Sequence, residues 1–337
     1  MRSKVTPSKT AVIGTGGWGT ALSIIWSNQG RSISLWGRDP GRIEQLRKTR
    51  ENSAYLPGAK LTDTIGLTND LDVCADADLI VFVTRSTALR DIAGKVRNVA
   101  IKRDAVILSC IKGIEHGTGK RISEILAEIF PDHSIAVLSG PNLAAEVARG
   151  LPTATVVACN DAEVASNLQR YLSTPRFRIY TGEEVAGVEL GGALKNVFAI
   201  AAGAGDGLGL GDNSKAAIVT RALAEMVRLG TRMGGELRTF YGLSGAGDMI
   251  ATCFSQRSRN RQVGEHLGHG RSLDEINALM GTVAEGIPTA RSAFECARKL
   301  QVDTPIIDQV YSLLYEGKPP ARAMEELLQR DQKAEII

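Results

Sequence analysis

The chain has 337 residues, of which 43% are hydrophobic and 23% charged, and this length favours two domains with the composition of a globular protein. Its formal net charge of +3 argues against a nucleic-acid or membrane-surface partner, but it leaves room for a local site that binds a small anion. The five cysteines form no CxxC pair, so we expect no metal site. The N-terminus lacks the apolar core of a signal peptide, and no apolar run approaches the roughly 20 residues of a membrane span. We therefore expect a cytoplasmic protein.

The first half of the chain alternates short apolar runs with segments of helical periodicity. Most of these runs are continuously apolar, which is typical of strands buried on both faces of a parallel sheet. The predicted strands are Thr10–Gly14, Ser32–Gly37, Asp78–Thr84, Ala105–Cys110, Ser134–Ser139, Thr153–Cys159 and Phe177–Tyr180. Helices are predicted between them, for example at Leu89–Ala100 and Gly119–Phe130. Residues 1–182 are therefore predicted to form a doubly wound, Rossmann-type α/β domain that binds a dinucleotide.

The pattern changes near residue 183, and no strand is predicted beyond it. The predicted helices are Glu183–Ala204, Asn213–Met233, Ser272–Met280, Pro288–Leu300, Pro305–Glu316 and Pro319–Arg330. Three of them begin at a proline, where the missing N–H does no harm. Residues 183–337 are therefore predicted to form an all-α domain for substrate binding and catalysis.

The segment GTGGWG, residues 14–19, follows the first predicted strand and precedes a predicted helix at Thr20–Asn28. In that context the GxGxxG pattern indicates a dinucleotide site. Gly14 permits the tight turn, Gly16 lets the backbone approach a pyrophosphate, and Gly19 allows close packing of helix on strand. The helix N-terminus offers N–H groups and a partial positive charge to the phosphates. A glycine-rich turn without a ligand is the alternative.

The end of the second predicted strand selects between the two nicotinamide cofactors. It reads Trp36-Gly37-Arg38-Asp39, in which Arg38 suits the 2′-phosphate of NADP and Asp39 suits the free 2′-hydroxyl of NAD. Because Arg38 comes first after the strand, NADPH is favoured over NADH. A solvated charged turn is the alternative.

Lys195 is the candidate proton donor. On a helical wheel its neighbours are all small, so another part of the protein is expected to approach this face closely; they are Gly191, Gly192, Ala199 and Ala202. A lysine in such surroundings is poorly solvated, its pKa falls, and it can exchange a proton with a carbonyl oxygen near neutral pH. Asn196, next in the chain, can orient a neighbouring group. A lysine that extends from a helix seam to solvent is the alternative.

Two further segments follow predicted strands, where ligands of doubly wound folds bind. Lys112 follows Ser109-Cys110-Ile111 and is placed where cofactor and substrate meet, with an ordinary surface lysine as the alternative. Gly140, in Ser139-Gly140-Pro141-Asn142, would let the backbone approach a ligand.

Two segments of the helical half complete the candidate site. Asp248 ends the glycine-rich run GLSGAGD and either caps the helix that follows or sets the charge state of Lys195. The run Ser258-Arg259-Asn260-Arg261 combines guanidinium groups with a short amide, which suits binding of a phosphate. A solvated loop without a ligand is the alternative.

Several of these stretches together resemble the bacterial NAD(P)-dependent glycerol-3-phosphate dehydrogenases. The resemblance extends from about residue 10 to residue 330 and is carried by GTGGWGTAL, LWGRDP, YLPG, CIKGIE, LSGPNLAAEVARGLPTA, GALKNVFAIAAG, GLSGAGDMIATC, SRNR and TVAEG. Their number and order make the resemblance specific.

The resemblance implies a role for individual residues. Lys195 is the proton donor and acceptor, Asp248 lies at the reacting centre, and Lys112 contacts both cofactor and substrate. The remaining substrate-binding residues are Gly140, Asn142, Ser258, Arg259 and Asn260. The remaining cofactor-binding residues are Gly17, Trp18, Arg38, Ala144, Val283 and Glu285, with Arg259 nearby.

The chain departs from the family pattern at three places. The family usually has Ser at the position of Gly17, Val-Pro-Ser at Thr84-Arg85-Ser86, and Ser or Thr at the position of Asn142. These changes concern the fine geometry of the cofactor site and leave the lysines and Arg259 in place.

The implied activity is reversible hydride transfer between NAD(P)H and dihydroxyacetone phosphate, giving sn-glycerol 3-phosphate for phospholipid synthesis. The long apolar helices of the second half favour a homodimer. One alternative is a related dehydrogenase, such as a 3-hydroxyacid dehydrogenase or a ketopantoate reductase. The other is a dinucleotide-sensing protein without turnover, in which Lys195 beside two glycines would have no purpose.

Overall fold

The computed structural model describes residues 7–280, 284–332 and 334–335. The chain forms two compact units, Met1–Ile111 with Ile122–Val185 and Lys112–Arg121 with Ala186–Ile337. The segment Lys112–Arg121 therefore belongs to the second unit, although it lies within the range 1–182 that the sequence assigns to the first domain.

The first unit is built on one sheet of eight strands, in the order β3-β2-β1-β4-β5-β6-β7-β8. The strands are β1 (Lys9–Ile13), β2 (Ser32–Trp36), β3 (Gly66–Thr68), β4 (Leu79–Phe82), β5 (Val106–Ser109), β6 (Ile135–Ser139), β7 (Thr153–Cys159) and β8 (Phe177–Gly182). Two features differ from the sequence-based prediction. The three-residue strand β3 is too short to give an apolar run, and β7 lies antiparallel to β6, whereas all other pairs are parallel.

Helices cover both faces of this sheet, which explains the continuous apolar runs. In β4, Leu79 and Val81 belong to one hydrophobic cluster, while Ile80 and Phe82 belong to another, so successive side chains enter different layers. The helices of this unit are α1 (Gly17–Ser27), α2 (Pro40–Thr49), α3 (Leu89–Arg97), α4 (Ile122–Ile129), α5 (Ala144–Ala148) and α6 (Ala162–Leu172).

The order of the strands reverses at β1, because β2 and β3 lie on one side of it and β4 on the other. Ligands of doubly wound folds bind beyond the carboxyl ends of the strands at such a point. The glycine-rich segment begins there, directly after Ile13.

The described residues of the second unit form helices and no strand. They are α7 (Val185–Gly207), α8 (Gly211–Arg232), α9 (Leu237–Phe240), α10 (Asp248–Phe254), α11 (Arg259–Gly268), α12 (Leu273–Met280), α13 (Gly286–Lys299), α14 (Pro305–Tyr315) and α15 (Pro320–Leu328). One hydrophobic cluster joins most of these helices and includes Ile114, from the segment Lys112–Arg121.

Helix α7 is the central helix of this unit. It is long and apolar enough to cross a membrane, contrary to the sequence-based expectation that no segment would be. Most of it is buried inside the unit, as in the core helix of a globular protein, and it carries the buried polar residues Glu189, Lys195 and Asn196. Its apolar character therefore serves the core.

Candidate active site

Of Gly14, Gly16 and Gly19 in the glycine-rich segment, one has open space beside it and two are closely packed. Gly14 has φ +131°, and a Cβ placed on it would lie 2.6 Å from the carbonyl oxygen of Val83. A Cβ on Gly19 would overlap the carbonyl oxygen of Gly14, so helix and loop touch here. A Cβ on Gly16 would have nothing within 4 Å. This is the cradle that a pyrophosphate group needs, with open space in front of Gly16 and the N-terminus of α1 beside it.

The sequence-based reasoning missed a buried amide, Asn52, that holds this loop. Its side chain is 2% exposed, and its Nδ2 donates to the carbonyl oxygen of Thr15 at 3.0 Å and to Thr20 Oγ1 at 2.7 Å. Its Oδ1 accepts from Arg42 Nη2 at 2.9 Å, and the Arg42 guanidinium lies over the ring of Tyr55. Asn52 therefore links the loop to α2, and a single asparagine gave no signal in the sequence.

We expect Asn52→Ala to weaken binding of a nicotinamide dinucleotide by roughly 10- to 30-fold. Two hydrogen bonds to the loop and its helix are lost, at about 1 kcal/mol each. Fluorescence titration with NADPH measures the change, and Ser53→Ala, at the exposed neighbouring position, is the control. An unchanged Kd together with a lower Tm would restrict Asn52 to a role in stability.

The residues that follow Gly16 are closely packed. A Cβ on Gly17 would lie 2.8 Å from the carbonyl oxygen of Tyr55 and 3.8 Å from the Cβ of Ala144. Glycine here leaves room for the YLPG segment, which includes Tyr55, to lie against the loop. Trp18 is partly buried and packs near the ring of Phe177, with 6.2 Å between centroids. Gly17, Trp18 and Ala144 thus lie around one end of α1.

Arg38 and Asp39 follow β2 and have different surroundings. Arg38 is exposed to solvent. Asp39 caps α2, because its Oδ1 accepts from the backbone N–H groups of Gly41 at 2.9 Å and Arg42 at 3.3 Å. Asp39 therefore has a structural role, and Arg38 extends into solvent beside it.

Gly140 and Asn142 follow β6 and pack against Thr155 of the antiparallel strand β7. Gly140 has φ +152°, and a Cβ on it would lie 2.8 Å from Thr155 Oγ1. Asn142 Nδ2 donates to the same hydroxyl at 3.0 Å. Among the described residues, the buried Asn142 Oδ1 has no hydrogen-bond partner, so it remains available as an acceptor.

In the second unit, one carboxylate holds two lysines. Asp248 is 1% exposed; its Oδ1 accepts from Lys195 Nζ at 2.9 Å and its Oδ2 accepts from Lys112 Nζ at 2.6 Å. Asp248 is the first residue of α10, and Gly247 occupies the N-cap position before it. The contact with Asp248 acts to raise the pKa of Lys195, in the sense of the second sequence-based interpretation.

Lys195 is buried, with 7% of its surface exposed, so it does not extend to solvent. Its pKa is lowered to about 8. Burial is the largest cause, the Lys112 charge adds to it, and Asp248 opposes it. The small helix face is closely approached as predicted, since a Cβ on Gly191 would lie 2.8 Å from the carbonyl oxygen of Ser244.

Thr252 is a second residue that the sequence did not indicate. Its Oγ1 accepts from Lys195 Nζ at 2.6 Å and donates to the backbone carbonyl of Asp248 at 2.6 Å. The position four residues after Asp248 places both groups on one face of α10. That spacing was the available signal, but threonines at such positions are too common in helices to be diagnostic.

A chain of amides connects the lysine helix to the SRNR segment. Asn196 Oδ1 accepts from Asn260 Nδ2 at 2.8 Å, and Asn260 Oδ1 accepts from the backbone N–H of Gly286 at 2.9 Å. Asn196 thus orients a neighbouring group, as the sequence suggested. Asn260 keeps one amide hydrogen for another partner.

The SRNR segment is the first turn of α11 and not a solvated loop. Ser258 is the buried N-cap, its Oγ accepting from the backbone N–H of Arg261 at 3.3 Å. Arg259 is the first helical residue and is exposed. An exposed guanidinium at a helix N-terminus is a favourable place for an anion.

The predicted cofactor residues of TVAEG are described only in part. Val283 lies outside the described residues. Glu285 is half-buried at the N-cap position of α13, next to the Gly286 that bonds Asn260.

The predicted site residues are divided between the two units. The first unit carries the loop residues, Arg38, Gly140, Asn142 and Ala144. The second unit carries the cluster Lys112–Lys195–Asp248 and the chain that joins Asn196 to Asn260, with Ser258, Arg259 and Glu285 beside it.

A dinucleotide-binding loop and a buried lysine–carboxylate cluster in one chain define an NAD(P)-dependent oxidoreductase. The family model for the NAD-dependent glycerol-3-phosphate dehydrogenase N-terminus matches residues 9–165, and the model for its C-terminus matches residues 184–325. The chain therefore belongs to the NAD-dependent glycerol-3-phosphate dehydrogenase family.

Individual relatives agree with this assignment over nearly the whole chain. The glycerol-3-phosphate dehydrogenase [NAD(P)+] of Geobacter sp. (strain M21) is 46% identical over 98% of this chain and 99% of its own length. That of Desulfitobacterium hafniense (strain Y51) is 43% identical over 98% and 93%. The crystal structure of the Coxiella burnetii glycerol-3-phosphate dehydrogenase has a TM-score of 0.93 and 34% identity, covering 97% of this chain and 100% of that one.

A ketopantoate reductase, the class considered above as a rival, shares only the architecture. The enzyme from Ralstonia eutropha JMP134 has a TM-score of 0.61 at 14% identity over 94% of this chain and 99% of its own. Such a likeness shows the fold alone.

Proposed function

We propose that the chain reversibly reduces dihydroxyacetone phosphate to sn-glycerol 3-phosphate, with Lys195 as the general acid and base. The observation that carries this proposal is the buried Lys195 amine, whose pKa is lowered to about 8 and which is held against Asp248 at 2.9 Å. A group with a pKa near the working pH both gives and takes a proton readily.

The proton step follows from this arrangement. When bound, the nicotinamide supplies the hydride to the ketone carbon. Lys195 donates its proton to the ketone oxygen as negative charge develops there, and in the reverse direction it takes the proton from the alcohol. Lys112, on the other oxygen of Asp248, adds positive charge nearby. Asp248 and Thr252 fix the position of the Lys195 amine.

The substrate phosphate is assigned to the first turn of α11. Arg259 is exposed there, Ser258 caps the helix, and one amide hydrogen of Asn260 remains for an acceptor. Fixing the phosphate at this point holds the ketone in place for reaction.

We expect Arg259→Ala to raise the KM for dihydroxyacetone phosphate by about 10- to 100-fold, because a charge-assisted hydrogen bond to phosphate contributes about 1.5–3 kcal/mol. Steady-state kinetics at saturating NADPH measure this, with the exposed Arg271→Ala as the matched control. A KM equal to that of the wild type would remove Arg259 from the phosphate site.

NADPH is the proposed preferred cofactor. The Asp39 carboxylate caps α2, whereas Arg38 is exposed and carries the positive charge that a 2′-phosphate requires. The loop before α1 suits the pyrophosphate of either cofactor.

The deciding experiment follows absorbance at 340 nm with purified protein, dihydroxyacetone phosphate and each cofactor in turn. We expect turnover with both cofactors and a higher kcat/KM with NADPH. Ketopantoate and a 3-oxo acid serve as the competing substrates. Cofactor binding without turnover on any of the three ketones would favour the sensing protein and refute the proposed reaction.

The protein is proposed to act in the cytoplasm, where its product, sn-glycerol 3-phosphate, supplies glycerophospholipid synthesis. The proposed assembly is a homodimer. The exposed apolar side chains of α9 and α10, together with Tyr241, support an interface; they are Leu237, Tyr241, Ile250 and Phe254. Light scattering during gel filtration gives the mass in solution, and a monomer at micromolar concentration would contradict the assembly.

A further inference from the structure

Four glycines bring the backbones of α7 and α11 into direct contact. A Cβ on Gly203 would overlap the carbonyl oxygen of Arg261, and one on Gly207 would overlap that of Glu265. From the other helix, a Cβ on Gly264 would overlap the carbonyl oxygen of Ile200. A Cβ on Gly268, the fourth glycine, would lie 2.6 Å from the carbonyl oxygen of Ala204. Each obstructing atom belongs to a backbone, so a side chain at any of these positions forces the helices apart.

The contacts advance in the same direction along both helices. Asn196 meets Asn260, Ile200 meets Gly264 and Ala204 meets Gly268, so α7 and α11 run side by side in parallel. Each step is four residues on both helices, so the same face of each helix stays in the contact. We call this contact between α7 and α11 the four-glycine seam.

A partly buried ion pair reinforces this seam. Asp206 on α7 accepts from Arg261 Nε on α11 at 2.6 Å and from Lys215 Nζ at 2.7 Å. Together with the Asn196–Asn260 hydrogen bond, it leaves α11 little freedom to slide or tilt against α7.

The two ends of the proposed substrate are assigned to residues beside the first contact of this seam. Lys195 precedes Asn196 on α7, and Arg259 precedes Asn260 on α11. We infer that the four-glycine seam sets the distance between the proton donor and the phosphate-binding turn, and so selects phosphorylated ketones of three carbons. This inference depends on the proposed function. A substrate with one more carbon between the carbonyl and the phosphate is too long to place its carbonyl at Lys195 and its phosphate at Arg259 together.

The test compares Gly203→Ala and Gly264→Ala with the wild type on dihydroxyacetone phosphate and on a four-carbon ketose phosphate. Since a displacement near 1 Å can cost about 100-fold, we expect the ratio of kcat/KM for the three-carbon over the four-carbon substrate to fall at least roughly 10-fold. The NADPH Kd from fluorescence titration is expected to change less than the substrate ratio, because most of the predicted cofactor residues, including the glycine-rich loop, lie in the other unit.

Gly205→Ala is the matched control on the same helix. A Cβ on Gly205 would meet only the ends of two side chains, Ile218 at 3.2 Å and Leu210 at 3.8 Å. The substrate ratio of this variant is expected to match the wild type. Should the glycine variants not fold, Asp206→Asn loosens the same seam without adding volume, and we expect it to raise the KM for dihydroxyacetone phosphate about threefold or more.

The outcomes separate this inference from the proposed function. If the wild-type protein does not reduce dihydroxyacetone phosphate, the proposed function fails. The inference is overturned if the wild type reduces dihydroxyacetone phosphate and the folded seam variants, including Asp206→Asn, have the same KM and substrate ratio as the wild type. The seam would then have a structural role only.

Discussion

Lys195→Ala is expected to lower kcat for reduction of dihydroxyacetone phosphate by about 1,000-fold, within the range of 10²–10⁴ that a positioned general acid supplies. The NADPH Kd should change little, because Lys195 is buried in the second unit and the glycine-rich loop belongs to the first. Rapid-mixing kinetics at 340 nm measure the chemical step, and fluorescence titration measures Kd.

A role in proton transfer is distinguished from a structural role by chemical rescue. Removing the side chain leaves a cavity against Asp248 and Thr252. A small primary amine such as methylamine should occupy it and restore part of kcat in Lys195→Ala, while leaving the wild type unchanged. Near-normal turnover of the variant without added amine would refute the acid–base assignment.

The same residue gives opposite pH dependences to the two directions of reaction. Below about pH 8 the Lys195 amine is charged and holds the proton that ketone reduction needs, so reduction slows as pH rises above that value. Alcohol oxidation needs the neutral amine and accelerates over the same range. Profiles of kcat/KM in both directions check the sign, and an identical slope in the two directions would contradict it.

Asp248→Asn is expected to have the second-largest effect. The neutral amide removes the negative charge that two neighbouring ammonium groups, one of them buried, contact. Breaking a buried ion pair costs about 3–5 kcal/mol, which lowers the Tm by roughly 10 °C in a domain of this size. Loss of the carboxylate also removes an influence that raises the pKa of Lys195, so the fall in the rate of reduction should begin at lower pH.

Differential scanning calorimetry and the pH profile of reduction test both consequences. Asp132→Asn, which changes an exposed carboxylate, is the matched control. A wild-type Tm together with an unshifted profile in Asp248→Asn would show that the two lysines do not depend on this carboxylate.

The lysine site could be anticipated from the sequence because its signals are local. The small residues around Lys195 recur at helical spacing, and such a face implies a close neighbour and a desolvated amine whichever element packs there. The GxGxxG segment was equally informative, since each of its glycines has a separate steric reason.

Other features depend on partners that are remote in the chain. Asn52 is a single asparagine whose importance comes from Thr15 and Thr20, 37 and 32 residues away. The direction of β7 could not be read either, because a strand buried on both faces has the same apolar pattern whichever way it runs. The membership of Lys112–Arg121 in the helical unit likewise depends on contacts with residues much later in the chain.

That segment means that no single cut separates the two units. A fragment beginning at Ala186 would lack Ile114, which belongs to its hydrophobic core, and Lys112, which neutralises Asp248. During synthesis, residues 112–121 leave the ribosome well before the helices that receive them, so the helical unit completes its packing only after most of the polypeptide has been made. The two lysines of the proposed reaction thus come from stretches of chain translated at different times, and fragments of about half the chain are expected to fold poorly.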